Sequence, residues 1–277
     1  MFKNWLIKGD CHGSFTWMTN GCLDDYKPEE TAIIVLGDFS VNYFLDKKDE
    51  RLKKELNERG YTFYVVRGNH EARPIDVPEY KLVYDEEVGN QVWVQERFPN
   101  LRFFMDYGEY KIDKYSVAVI GGAYSVDKWW RLQRAGVMSK LHPYYHDPKR
   151  TGWFSNEQLT EDEMKEAYNL FVNKTYDFVF SHTCPISWQP TDLFLSVVDQ
   201  SGVDNSMEFW LEYLKNSIIW DVWCFGHYHG DRIEKPHVEM YYRDIEDLEV
   251  IWERWERYDK TGKLDWWLNK SPNFDLN

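Results

Sequence analysis

Short apolar runs that end at glycine-centred turns recur along the chain, and they set its secondary structure. Trp5 to Lys8 predicts a first strand, with Gly9 to Gly13 as the turn beyond it. Thr31-Ala32-Ile33-Ile34-Val35-Leu36 is almost wholly apolar and ends at Gly37-Asp38. Such a run marks a strand buried on both faces. Tyr61 to Val66 repeats the pattern ahead of Gly68-Asn69-His70. Between these two strands, residues 44–59 are rich in Lys, Glu, Leu and Arg and read as an amphipathic helix closed by Gly60. Residues 14–24 are a further helix candidate. Strand, turn and helix repeated in this way is the βαβ pattern of a parallel sheet.

From residue 80 the character changes. Val92-Trp93-Val94, Leu101 to Phe104 and Ser116 to Ile120 are short apolar runs spaced by turn residues, and they read as strands of a second sheet. Residues 126–155 are irregular, dense in Trp, Tyr, His and Pro, and too long for an ordinary connection. They read as a cap or a substrate-facing loop. Residues 156–172 predict a helix capped by Ser155, Tyr176 to Phe180 a strand ending at His182, residues 206–216 a helix, and Ile218 to Phe225 a strand presenting Gly226-His227. Residues 232–243 resemble a hairpin. The reading is one domain over 1–245, followed by a charged and aromatic tail over 246–277 that packs on it or extends it.

Composition narrows the classes of function. The formal net charge is -14, and no Lys/Arg cluster amounts to a nucleic-acid footprint, so long nucleic acid is not expected as a partner. The four cysteines, Cys11, Cys22, Cys184 and Cys224, form no CxxC pair and no disulfide framework. Reduced thiols and a cytoplasmic location fit best. No stretch approaches the roughly 20 apolar residues of a membrane span. Oligomeric state is not legible.

The chemistry sits in five short blocks: Gly9-Asp10-Cys11-His12-Gly13, Gly37-Asp38, Gly68-Asn69-His70-Glu71, Ser181-His182 and Gly226-His227-Tyr228-His229-Gly230. Each sets an oxygen or imidazole ligand at or beside a strand end, which is how an α/β protein gathers distant residues into one site. Asp10 and His12, two apart on an extended strand end, point the same way and can share an ion. His227 and His229 repeat that spacing. Asp38 can bridge two ions, Asn69 offers a neutral amide oxygen, and His182 a further imidazole. Oxygen and nitrogen ligands without thiolate suit manganese, iron, zinc, nickel or cobalt rather than calcium. Cys11, between two ligands, points away and reads as a small core residue.

In order and content these blocks resemble the calcineurin-like metallophosphoesterases. Gly121-Gly122-Ala123-Tyr124-Ser125-Val126-Asp127-Lys128, Gly152-Trp153-Phe154 and Ser181-His182-Thr183-Cys184-Pro185 are similar to a bacterial and phage branch of that family. The resemblance implies a four-layer α/β/β/α sandwich of two mixed β-sheets, with a binuclear metal site at strand C-terminal ends. It places Asp10, His12, Asp38 and His229 around one divalent transition-metal ion and Asp38, Asn69, His182 and His227 around the other, manganese being the first choice of metal. Asp38 and His70 are then the catalytic residues: a hydroxide shared by the ions Asp38 bridges attacks phosphorus, and His70, protonated, faces the phosphate and aids the leaving oxygen.

The implied activity is phosphomonoester hydrolysis, on a phosphorylated small molecule or phosphopeptide. The alternatives are a phosphodiesterase acting on cyclic nucleotides, dinucleotides or nucleic acid, and an inactive metal-bound interaction module. Protein phosphatases of this superfamily carry an Asp and an Arg where this chain has Val41 and Asn42, so His70 must be oriented by other residues. Asn69 and His70 are expected to touch substrate, and Arg73, Lys128 and Arg131 are candidate phosphate anchors. Arg67 reads as structural, and His142, His146 and His237 as exposed loop residues.

Overall fold

The run Thr31–Val35 forms β2, every residue of it buried, between the parallel strands β1 (Asn4–Lys8) and β3 (Thr62–Val65). In this computed structural model, residues 2–264 are described except Leu195, Val197 and Val198. Period-two alternation sends Ala32 and Ile34 to one face and Ile33 and Val35 to the other, and both faces are covered. The first sheet continues through β6 (Leu101–Phe104), parallel to β3, and then through the antiparallel β5 (Asn90–Gln95) and β4 (Tyr80–Asp85).

The second sheet is built on β8 (Tyr115–Ile120), β9 (Thr175–Ser181) and β10 (Ile219–Phe225), all parallel. The antiparallel β7 (Tyr107–Ile112) lies at one edge. At the other, β12 (Val238–Met240) pairs with β10 and with β11 (Arg232–Lys235). Both sheets are therefore mixed.

One core lies between the sheets, where Ile7, Ile34 and Tyr64 meet Val117, Val119, Phe178 and Cys224. Outside the first sheet, Leu56 of α1 (Lys47–Glu58) joins Ile33, Val35 and Phe63. Outside the second, Ala167 and Phe171 of α4 (Glu161–Phe171) and Leu211 and Leu214 of α5 (Ser206–Lys215) pack on Val179 and Trp223. This is the expected α/β/β/α order.

Several local expectations are corrected. Val92 to Val94 and Leu101 to Phe104 belong to the first sheet; of the runs assigned to the second, only Ser116 to Ile120 lies there. Apolar spacing reports that a strand is half-buried, not which sheet it joins. The helix expected from residue 156 begins at Glu161, because Thr160 and Glu163 form a reciprocal capping box and Ser155 caps nothing. Residues 14–24 hold only one 3-10 turn, Thr16–Thr19. Within 126–155 two short helices appear, α2 (Lys128–Arg134) and α3 (Pro148–Thr151).

Beyond residue 244, where the pattern has no clear period, β13 (Ile245–Asp247) pairs antiparallel with β1. It leads into α6 (Leu248–Thr261), whose Leu248, Ile251 and Trp255 join the intersheet core. Residues 265–277 of the expected tail lie outside the described residues. Among those described, no helix is long and apolar enough to cross a membrane.

Candidate metal centre

All five blocks meet at the carboxyl ends of β1, β2, β3, β9 and β10. Asp10 follows β1, Asp38 follows β2, Asn69 follows β3, His182 directly follows β9, and His227 and His229 follow β10. Three sets of side chains bring ligand atoms within 4.8 Å of one another: Asp10, His12 and His229; His12, Asp38 and His70; Asp10, Asp38 and His182. His227 stands beside them, its ring 5.0 Å from that of His182.

The i, i+2 pairs converge by another route than strand extension. His12, Asp38, His227 and His229 all have positive φ, from 46° to 69°, so tight turns aim these side chains. Consequently His227 and His229 separate. His229 joins His12 and Asp10, whereas His227 lies against His182.

Glycines allow the ligands to lie on the backbone. A Cβ on Gly37 would stand 1.9 Å from Nδ1 of His182, and one on Gly226 would stand 2.4 Å from Oδ1 of Asp10. The backbones also lock the carboxylates, since His70 N–H donates to Asp38 at 2.8 Å and His227 N–H donates to Asp10 at 3.0 Å. Buried Glu71 accepts from the N–H groups of Phe39 and Gly68, tying two ligand loops together. Burial, with Asp38 nearby, pushes its pKa up to about 8.

The donor set fits cations. Nδ1 of His182 lies 2.7 Å from the Leu36 carbonyl, which can only accept, so that nitrogen carries the proton. Its Nε2 therefore offers a lone pair, yet faces Oδ1 of Asn69 at 2.9 Å. The Asn69 amide nitrogen is committed to the Ser125 hydroxyl at 2.9 Å, so its oxygen cannot turn away. Two acceptors face each other across a gap a cation would satisfy. Nε2 of His12 and Nε2 of His229 approach to 2.8 Å, and the buried Oδ2 of Asp10 lies 3.7 Å from the first and 3.5 Å from the second, close enough to raise the His229 pKa. Burial opposes ionisation of Asp38, but His70, His182 and His12 hold its pKa below the usual carboxylate range. Burial, with His182 close by, lowers His227 to about 3, so it is a neutral donor.

The candidate anchors divide. Arg131 reaches the site: its Nη2 lies 3.2 Å from Nδ1 of His70, while Asp127, Tyr43 and the Gly152 carbonyl hold the rest of the guanidinium. Arg73 does not fit a phosphate role, because its guanidinium is taken by Glu163, Asp106 and the carbonyls of Asn156 and Gln158. Lys128 lies over the Trp153 ring at 4.3 Å. Arg67 is buried on Asp106 and the Glu157 carbonyl, a structural role. Cys11 is buried, and burial raises its thiol to about 12. Of the unmatched histidines, His237 is partnered by Asp259 and stacks on Trp255, away from the site.

The chain matches the calcineurin-like phosphoesterase family over residues 6–231. It belongs to that family. It is thus a hydrolase acting on phosphate esters, and its His/Asp groups are those of a divalent-metal enzyme. Among solved structures, a phosphopantetheinyl hydrolase from Mycobacterium tuberculosis is similar at 12% identity, over 99% of this chain and 98% of that one. The TM-score is 0.36, too low to carry an argument. No curated protein matches the chain.

Four residues that support this phosphoesterase site escape sequence reasoning. Tyr43 and Asp127 fix Arg131; the i, i+4 spacing of Asp127 and Arg131 on a helix was the available signal. Glu157 accepts from Ser125 at 2.6 Å and so orients Asn69, and burial pushes its pKa up to about 7. Tyr242 stacks on His229 at 4.7 Å. Nothing in the local pattern marks Glu157 or Tyr242.

Proposed function

We propose that the protein is a phosphomonoesterase working with two divalent transition-metal ions, manganese first among them. Asp10, His12, Asp38 and His229 would hold one ion, and Asp38, Asn69, His182 and His227 the other. The observation that carries this reading is the facing lone pairs of His182 and Asn69 on one side of the buried Asp38, with the imidazoles of His12 and His229 converging on the other. Bound there, the ions would acidify a water and offset phosphoryl charge.

The chain's own residues supply the rest. Asp38 lies between the two donor sets and sets their spacing. Ser125 and Glu157 fix the Asn69 amide so that its oxygen keeps facing His182. Arg131, oriented by Asp127 and Tyr43, sets its Nη2 against the His70 ring, where the two can grip a phosphoryl oxygen. Burial lowers the pKa of His70 and Arg131 acts the same way, although Asp38 opposes them. The protein alone therefore favours a neutral ring, an N–H donor to phosphate and not the imidazolium the resemblance implies.

The substrate is a small or peptide-borne phosphate in the cytoplasm. The net charge of -14 disfavours long nucleic acid. Elemental analysis of metal-loaded protein, with p-nitrophenyl phosphate turnover before and after chelation, tests the proposal. The expected result is two ions per chain and activity lost with them; one ion or none, with turnover surviving the chelator, refutes it.

A further inference from the structure

A cavity of about 320 Å³ opens beside His227 and His229, and the chemistry above leaves it unused. Its walls include Tyr124, Val126, Phe194, Val203 and Tyr228. His227 and His229 themselves form part of its lining, so it opens directly on the metal centre; between them the Tyr228 ring lies 4.8 Å from that of His227 and is stacked with Phe194 at 6.2 Å and 18°. On another wall α5 delivers Glu208, which is 3% exposed. One carboxyl oxygen of Glu208 accepts from the Thr183 hydroxyl at 2.7 Å; the other, Oε2, is buried without a hydrogen-bond partner.

A buried oxygen left unpaired is costly, and a ligand donor would relieve that cost. The charge of the lining is one-sided, since among the described residues neither Lys nor Arg contributes to it. A carboxylate or second phosphate set against Glu208 would find no cationic side chain in the lining to pair it. Gln189 and Asn205 bond each other at 2.9 Å, which leaves the walls mainly aromatic and aliphatic. The volume is at the small end of the about 300–1,000 Å³ typical of small-molecule sites, enough for a ring system.

We infer that this cavity receives the substrate's leaving group, and that this group is uncharged, carries a flat aromatic ring and presents an N–H or O–H to Glu208. The inference rests on the phosphomonoesterase reading and narrows it away from phosphopeptides with charged side chains.

Four primary alkyl phosphates test it on the manganese-loaded full-length enzyme: ethyl phosphate and its 2-naphthyl, 2-(indol-3-yl) and 2-carboxy derivatives. All leave as primary alkoxides, so differences in kcat/KM report the cavity more than intrinsic reactivity. The indolyl ester should exceed ethyl phosphate by about tenfold or more, the naphthyl ester should fall between them, and the carboxy ester should not exceed ethyl phosphate. Val126→Trp, at a 44% exposed position where folding is not at stake, should bring the indolyl-to-ethyl ratio close to one. Glu208→Met should erase the advantage of indolyl over naphthyl, with metal content confirming an intact centre.

Indole-3-ethanol, which carries no phosphate, should bind the metal-free protein in saturation-transfer NMR and lose that binding in Val126→Trp. Equal turnover of the neutral esters, with no effect of Val126→Trp, would overturn the inference and leave the phosphomonoesterase reading standing. Binding of indole-3-ethanol, with no turnover of any of these esters or of p-nitrophenyl phosphate, would support the cavity and remove the phosphomonoesterase reading instead.

Discussion

Nη2 of Arg131 lies 3.2 Å from Nδ1 of His70, and the same guanidinium is bound by Asp127, by the Tyr43 hydroxyl at 2.7 Å and by the Gly152 carbonyl. Four partners around one planar fork require arginine's geometry. Lysine, a single ammonium, can satisfy only part of that set. Arg131→Lys should therefore lose one charge-assisted contact to phosphate, about 1.5–3 kcal/mol, or roughly 10–150-fold in kcat/KM. The loss should appear mainly in KM, with metal content unchanged by elemental analysis. A variant with wild-type KM would show that Arg131 only props the loop.

Asp38 faces both halves of the centre and Asp10 only one, so their conservative replacements should differ. Asp38→Asn should reduce metal content in both halves and turnover more severely than Asp10→Asn, which should spare the half built on Asn69, His182 and His227. Equal losses of metal in the two variants would count against Asp38 as the bridge.

Close packing at Gly226 gives a sharper geometric test. Its φ is ordinary, so Gly226→Ala carries no backbone strain, yet the added Cβ would meet Oδ1 of Asp10 at 2.4 Å and the Leu36 carbonyl at 2.9 Å. The carboxylate must move, and metal affinity should fall by roughly 10-fold or more, as when a ligand's orientation is disturbed. Gly202→Ala, where nothing lies within 4 Å, is the control and should leave metal titration unchanged.

Those three positions also show what was legible. Each ligand block announced itself because a strand end, a glycine and a polar donor fall within a few residues of one another. Local pattern is enough for that. The supports were illegible for the opposite reason: Glu157 reaches Asn69 through Ser125, and Tyr43 meets Arg131 across 88 positions of sequence. Long-range pairing of this kind leaves no period. Arg73 misled for a related cause, since a loop arginine near His70 could have faced phosphate, and only the fold reveals Glu163 and Asp106 closing around it. Ser155 was passed over as a cap because Thr160 and Glu163 form the stronger reciprocal box five residues on.

Three buried acids outside the ligand set, Glu71, Glu157 and Glu208, make the stability of the metal-free protein depend on pH. Burial pushes Glu157 and Glu208 up to about 7 from an ordinary 4.5, although bonds from Ser125 and Thr183 pull the other way. Between those limits the folded state holds protons that the unfolded state has released, so stability falls as pH rises. It is fully present below about pH 4.5 and lost above about 7, on the order of 3 kcal/mol per group. His227, lowered to about 3, acts in the opposite sense below about pH 6.5, so the test is a difference: in urea denaturation across pH 5–8, Glu157→Gln or Glu208→Gln should gain stability relative to wild type as pH rises. A difference between variant and wild type that stays constant over that range would contradict the assignment.

The role of His70 turns on its charge. A general acid must carry the proton it donates, and its removal costs roughly 10²–10⁴-fold, most for poor leaving groups. In this protein burial and the Arg131 cation disfavour the imidazolium, and only Asp38 favours it strongly. His70 should then act as a neutral N–H donor to a phosphoryl oxygen, beside Arg131. His70→Ala should keep both metals and lose a similar factor, roughly 10–150-fold, for p-nitrophenyl phosphate and for ethyl phosphate alike. The two esters differ widely in leaving-group basicity, so a plot of log kcat/KM against leaving-group pKa should keep its slope in the variant. A slope that steepens, with ethyl phosphate losing far more than p-nitrophenyl phosphate, would restore the acid role. It would also mean that bound substrate raises the His70 pKa against the pull of Arg131.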